Sequence, residues 1–166
     1  FGATTADIGR VTLYMAISLV VGSFAYGPLD RIFNTRKWII LVGNIMVLGA
    51  VFWLYAAETK ELWQVTLAFV TIGFFGAGYA VQIAHGRGFV PKHLTGRGVT
   101  LLNFCSIGGA GAMQALSGFV VDTASSEGAG FAAGYDALFL FYTLTLAGAM
   151  AIYLFSRDSK PNKPTV

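Results

Sequence analysis

The side chains able to do chemistry in this chain are few, and nearly all lie inside long apolar stretches. Asn103 and Gln114 stand eleven residues apart, which at 100° per residue sets them about 20° apart on one helix face. Ser106 and Ser117 flank that stripe. Thr71, Phe75, Gly78 and Gln82 follow the i, i+4, i+7, i+11 spacing of a second face, with Tyr79 beside them. Tyr14 and Ser18 make a third pair. These are amides, hydroxyls and phenols: uncharged donors and acceptors, suited to holding a polar solute. They are equally suited to joining neighbouring helices, at roughly 0.6–2 kcal/mol per bond. A reactive centre needs more. No HExxH pattern, Cys-His constellation or carboxylate pair lies within the apolar stretches, so no catalytic residue, metal ligand or cofactor is expected. The single cysteine, Cys105, reads as a small packing residue and excludes a disulfide framework. His85 stands at the edge of a stretch, where an interfacial anchor is expected rather than a proton carrier.

The elements that position these residues follow from composition. Of 166 residues, 55% are hydrophobic and 11% charged, against about 25% charged in soluble domains. Uncharged windows span 11–29, 38–57, 62–84, 98–121 and 137–156, each close to the ~20 residues a helix needs to cross ~30 Å of hydrocarbon. Barrel strands would alternate, and Trp38-Ile39-Ile40-Leu41-Val42 does not. A soluble core of five apolar helices would need a polar shell that this composition cannot supply. The expectation is an all-α polytopic membrane bundle, with helices at about 11–29, 38–57, 62–84, 98–121 and 137–155 and a disordered tail over 157–166. Pro28 and Asp30 mark the end of the first helix. The loop Glu58–Glu61 is short enough to make the second and third helices antiparallel neighbours. The segment 85–97 reads as partly non-helical, and 122–136 as a flexible loop.

Charge orients the bundle. Arg31, Arg36 and Lys37, then Arg87, Lys92 and Arg97, then Arg157, Lys160 and Lys163 occupy alternate connections and the tail, so nine of the eleven basic residues share one side. The positive-inside rule makes that side cytoplasmic, with the N-terminus outside and the C-terminus inside a cell (inner) membrane. The same distribution accounts for the net charge of +3 without a nucleic-acid partner. An outside start at Phe1 implies a missing upstream helix.

The segment Gly27-Pro28-Leu29-Asp30-Arg31-Ile32-Phe33-Asn34-Thr35-Arg36-Lys37 resembles the signature loop of the major facilitator superfamily, roughly Gly-x-Leu-x-Asp-Arg-x-Gly-Arg-Arg/Lys. It departs from that pattern in the spacing of Gly27 and in the second glycine, replaced around Asn34 and Thr35. Gly96-Arg97-Gly98-Val99-Thr100-Leu101-Leu102-Asn103, followed by Gly108-Gly109-Ala110-Gly111, resembles the start and glycine-rich middle of the family's eleventh helix. The resemblance implies that the five helices are numbers eight to twelve of a secondary transporter, most of one six-helix half. Its partners would be the lipid bilayer, an absent N-terminal half and a small-molecule substrate moved by alternating access.

On that reading Tyr14, Ser18, Thr71, Tyr79, Gln82, Asn103 and Gln114 line the solute path. Asp30, Arg31, Arg36, Lys37 and Arg97 form a cytoplasmic gate, with Asp30 docked near Arg97 at a helix N-terminus, where a carboxylate gains ~0.3–2 kcal/mol. No ionisable group lies deep in any window, so the chain offers no proton carrier of its own. A membrane-embedded enzyme and a non-catalytic scaffold subunit are the competing functions.

Overall fold

The structure, a computed structural model, describes residues 4–58, 61–126 and 130–161. All the secondary structure in them is helical: α1 (Thr5–Ile32), α2 (Lys37–Ala56), α3 (Leu62–Gly76), α4 (Tyr79–Arg87), a 3-10 turn (Lys92–Leu94), α5 (Thr95–Ser126) and α6 (Gly130–Leu154). Taking α3 and α4 as one span, five helical segments are long and apolar enough to cross a membrane.

Local chemistry sets the helix ends. α1 starts well before Val11 because Thr4 and Asp7 form a capping box, with the Asp7 amide donating to Thr4 Oγ1 (3.2 Å) and the Thr4 amide to the Asp7 carboxylate (3.0 Å). Pro28 lies inside the helix instead of ending it. It removes one N–H, but later residues still bond to carbonyls beyond it, and the Phe33 amide closes the last turn on Leu29 O at 3.0 Å. α2 matches its apolar window. A second capping box, Glu61 with Gln64, opens α3.

Two expectations fail here. The stretch 122–136 is largely helix, because α5 continues through Ser126 and α6 begins at Gly130. Gly134 lies so close to Val121 and Ser125 that a Cβ there would clash, so the ends of α5 and α6 are held by direct packing. The 32 residues of α5 rise about 48 Å, well beyond the hydrocarbon thickness. The third span is also not continuous. It breaks at Ala77-Gly78, between α3 and α4.

The helices pack in the spatial order α1, α3, α2, α6, α5, with α4 resting on α5 and α1. α1 and α3 cross closely because small residues face each other, Ser18 and Gly22 against Gly73 and Ala77, each pair four residues apart. A Cβ on Gly22 would run into the Phe74 carbonyl and Ala77, and one on Gly73 into Met15 O and Ser18. The buried apolar core is small, with Leu41 and Leu54 its only fully enclosed large side chains among the described residues. Large apolar residues instead face outward: Phe104 is 73% exposed, Ile107 71%, Phe119 69% and Ile152 77%. That inversion suits a chain surrounded by hydrocarbon.

The break in the third span is stabilised from α1. Tyr26, 4% exposed, donates its hydroxyl to the Phe75 carbonyl at 3.2 Å. Gly43 and Gly78 leave room for its ring and hydroxyl, since a Cβ at either would press on it. In lipid a carbonyl released from the helix ladder needs such a partner. Tyr26→Phe is expected to lower stability by about 1–3 kcal/mol, read as a shift in the denaturation midpoint of the detergent-solubilised protein.

Candidate functional site

Polar groups concentrate at two places, a face shared by α4 and α5 and the basic end of the bundle. On the first, α4 carries Tyr79 just after the break, and the phenol donates to Asn103 Oδ1 of α5 at 2.6 Å. Among the described residues the Asn103 amide N–H groups have no protein acceptor. Gln114 is exposed further along α5, beside Gly108, Gly109, Gly111 and Gly118, around which a Cβ would meet nothing. Gln82 is exposed one turn from Tyr79. The structure thus joins Tyr79 to Asn103 directly and leaves Gln82 and Gln114 open on the same two helices.

The other expected path residues stand elsewhere. Ser18 is buried in the α1–α3 crossing, its hydroxyl bonded back to Met15 O at 2.8 Å. Tyr14 is half exposed on α1. Thr71 borders a cavity of about 430 Å³ between α2 and α3, lined by Met46, Trp53, Trp63, Leu67 and Ala68 among others, and its hydroxyl is spent on Leu67 O (2.8 Å). The break at Ala77-Gly78 ends the helical register that was expected to align Thr71 with Gln82. Ser117 does not flank an open stripe either. It is buried against α6, bonded to Met113 O (2.6 Å) and to the Tyr142 hydroxyl (2.7 Å).

At the basic end, the expected approach of Asp30 to Arg97 is not made. Arg97 is exposed and carries no ion pair or hydrogen bond among the described residues. Asp30 pairs with Arg36 instead, Nε to Oδ2 at 3.1 Å, with only 13% and 19% of the two side chains exposed. The chain turns between them at Asn34, whose φ of 48° is left-handed and suits asparagine better than most residues. Arg36 Nη1 also reaches the carbonyls of Ala84 (3.3 Å) and Ser159 (3.4 Å). Lys37 Nζ donates to Leu154 O at 2.6 Å, over the Trp38 ring. Arg31 is exposed at the end of α1.

The first residues past α6, expected to be disordered, are docked into this network. Asp158 accepts from Thr35 Oγ1 (2.6 Å) and from the amides of Arg36 (3.1 Å) and Lys37 (3.0 Å). Burial pushes the Asp158 carboxyl up, but the Thr35, Lys37 and Arg36 hydrogen bonds and the charge of His85 outweigh it. The net effect holds it below its ordinary 3.8. Its contribution to stability is therefore complete above pH 3.8 and is lost only as pH falls through the lower, folded-state value. His85, 4% exposed, donates Nε2–H to Arg157 O at 2.9 Å, and its Nδ1 is hydrogen-bonded to the Tyr153 hydroxyl.

Asp158, His85, Tyr153 and Tyr26 were not anticipated as functional. For Asp158 a signal existed, because it and Asp30 are the only acidic residues among the three basic clusters. Comparisons of the chain with family models, with curated proteins and with solved structures find no match.

Proposed function

We propose that this chain is the part of a major-facilitator-type secondary transporter holding helices eight to twelve. It moves a small solute by alternating access together with an N-terminal half and a seventh helix. The observation that carries this reading is the interrupted third span set beside the Tyr79–Asn103 pair. Broken helices with polar groups alongside are the usual construction of solute sites within membranes. The signature-like loop supports it: Asp30 and Arg36 are ion-paired, and left-handed Asn34 stands where the family's loop has glycine. The basic clusters, gathered on one side, support a cytoplasmic C-terminal end.

In this reading Asn103, Gln82 and Gln114 offer hydrogen bonds to a polar, uncharged part of the solute, and Tyr79 orients the Asn103 amide. The test is a thermal-shift screen of the intact purified protein against sugars, amino acids, nucleosides and organic acids, followed by uptake of any stabilising solute into proteoliposomes. Asn103→Ala is expected to reduce uptake at least about tenfold, the equivalent of one charge-neutral hydrogen bond at ~1.4 kcal/mol. Uptake that survives the loss of both Asn103 and Gln114, or a screen in which no solute stabilises the protein, would remove the reading.

A further inference from the structure

Three helix ends meet at the basic end, and each takes hydrogen bonds from residues distant in sequence. α2 starts without a side-chain cap from its N-cap residue, Arg36, so its first amides would lack acceptors. Asp158, more than 120 residues away in sequence, accepts from the Arg36 and Lys37 amides, while the Trp38 amide reaches Thr35 Oγ1 at 3.4 Å. At the end of α4, Ala84 O takes Arg36 Nη1, and His85 O, which already accepts the Gly88 amide, takes the Ser159 hydroxyl as well at 3.0 Å. α6 ends with Leu154 O bound by Lys37 Nζ. Arg157, Asp158 and Ser159 thus bind α2 on one side and α4 on the other.

α4 needs such support. It has nine residues, too few to hold a helix unaided, and only Val81 and His85 of its side chains are buried. At its start the chain passes through Gly76-Ala77-Gly78, which carry no large side chain, and Tyr26 hydrogen-bonds only the α3 side of the break, at Phe75, while its ring packs with Ala77 and Val81. We propose that Arg157–Ser159 is a clasp that locks α4 against α1 and α2, and that its release lets α4 swing about the Ala77-Gly78 break while the α1–α3 crossing stays packed. This goes beyond the transport reading and stands or falls separately from it.

Hydrogen exchange by mass spectrometry on the full-length protein in lipid nanodiscs tests the clasp. With Asp158→Ala, amides 79–88 are expected to exchange at least tenfold faster, with residues 12–24 and 62–74 unchanged. Arg157→Ala keeps the carbonyl that binds His85 and is expected to leave exchange as it was. Ser159→Ala, which removes only the bond to His85 O, should give a smaller rise over the same α4 residues. It also decides the matter if Asp158→Ala does not fold. Faster exchange confined to residues 35–38 would reduce Asp158 to a simple helix cap and overturn the proposal. So would a uniform rise across every helix, or no change in α4 with either variant.

Discussion

Gly73→Leu is expected to prevent α1 and α3 from docking, leaving a protein that inserts but aggregates on detergent extraction. The first side-chain atom would already overlap Met15 O and Ser18 Oγ, and backbone and a buried hydroxyl cannot rotate away as the tip of a long side chain can. Relief requires α1 to move off, which opens the Gly22 contact with Phe74 and Ala77 at the next turn. Overpacking of this kind costs about 1–3 kcal/mol where neighbours can adjust, and more where they cannot; Gly73→Leu belongs to the second case. Gly49→Ala is the control. It adds a methyl where nothing lies within 4 Å and should be neutral or stabilising by up to about 1 kcal/mol. Size-exclusion profiles of the two variants after heating would separate them. If Gly73→Leu ran as a sharp peak with an unchanged midpoint, the close crossing would be wrong.

Arg36→Ala has the second large effect. The guanidinium joins Asp30, Ala84 and Ser159, and its removal leaves the largely enclosed Asp30 carboxylate without a counter-charge. Breaking a buried pair from one side costs about 3–5 kcal/mol, mostly as the penalty on the charge left behind. Adding Asp30→Asn should therefore restore part of the loss, although Asp30→Asn alone is also destabilising. Denaturation midpoints of the two single variants and the double variant make the cycle. Strict additivity would mean that the ion pair contributes nothing. Arg97→Ala, by contrast, should leave stability unchanged, because that side chain is exposed and makes no ion pair or hydrogen bond within the described residues.

Apolar runs made the number and approximate centres of the spans legible in the sequence, since the chain's solvent dictates them. Helix ends were less legible. Polar residues such as Asp122 and Ser125 continue α5 once they project past the hydrocarbon, and composition cannot distinguish that from a loop. The break at Ala77-Gly78 lay within a run rich in small residues that read as a packing surface, because glycine serves both purposes in lipid. At the candidate site, the helical period placed Asn103 and Gln114 on one face, and the structure keeps both accessible. The partner of Asn103, Tyr79, sits on a different helix, and pairings across helices are not encoded in local spacing. The same limit hid Asp158: a lone carboxylate in a basic tail looks solvated until the amides of residues 36 and 37 are seen to face it.

The distance in sequence between Asp158 and the amides it caps bears on biogenesis. A growing polypeptide threads α2 into the bilayer long before Asp158 is synthesised, so α2 must wait, unsealed at one rim, until the residues beyond α6 emerge. Premature stop mutations just after α6 should therefore produce chains that are inserted through α6 yet are open to quality-control proteases at that rim.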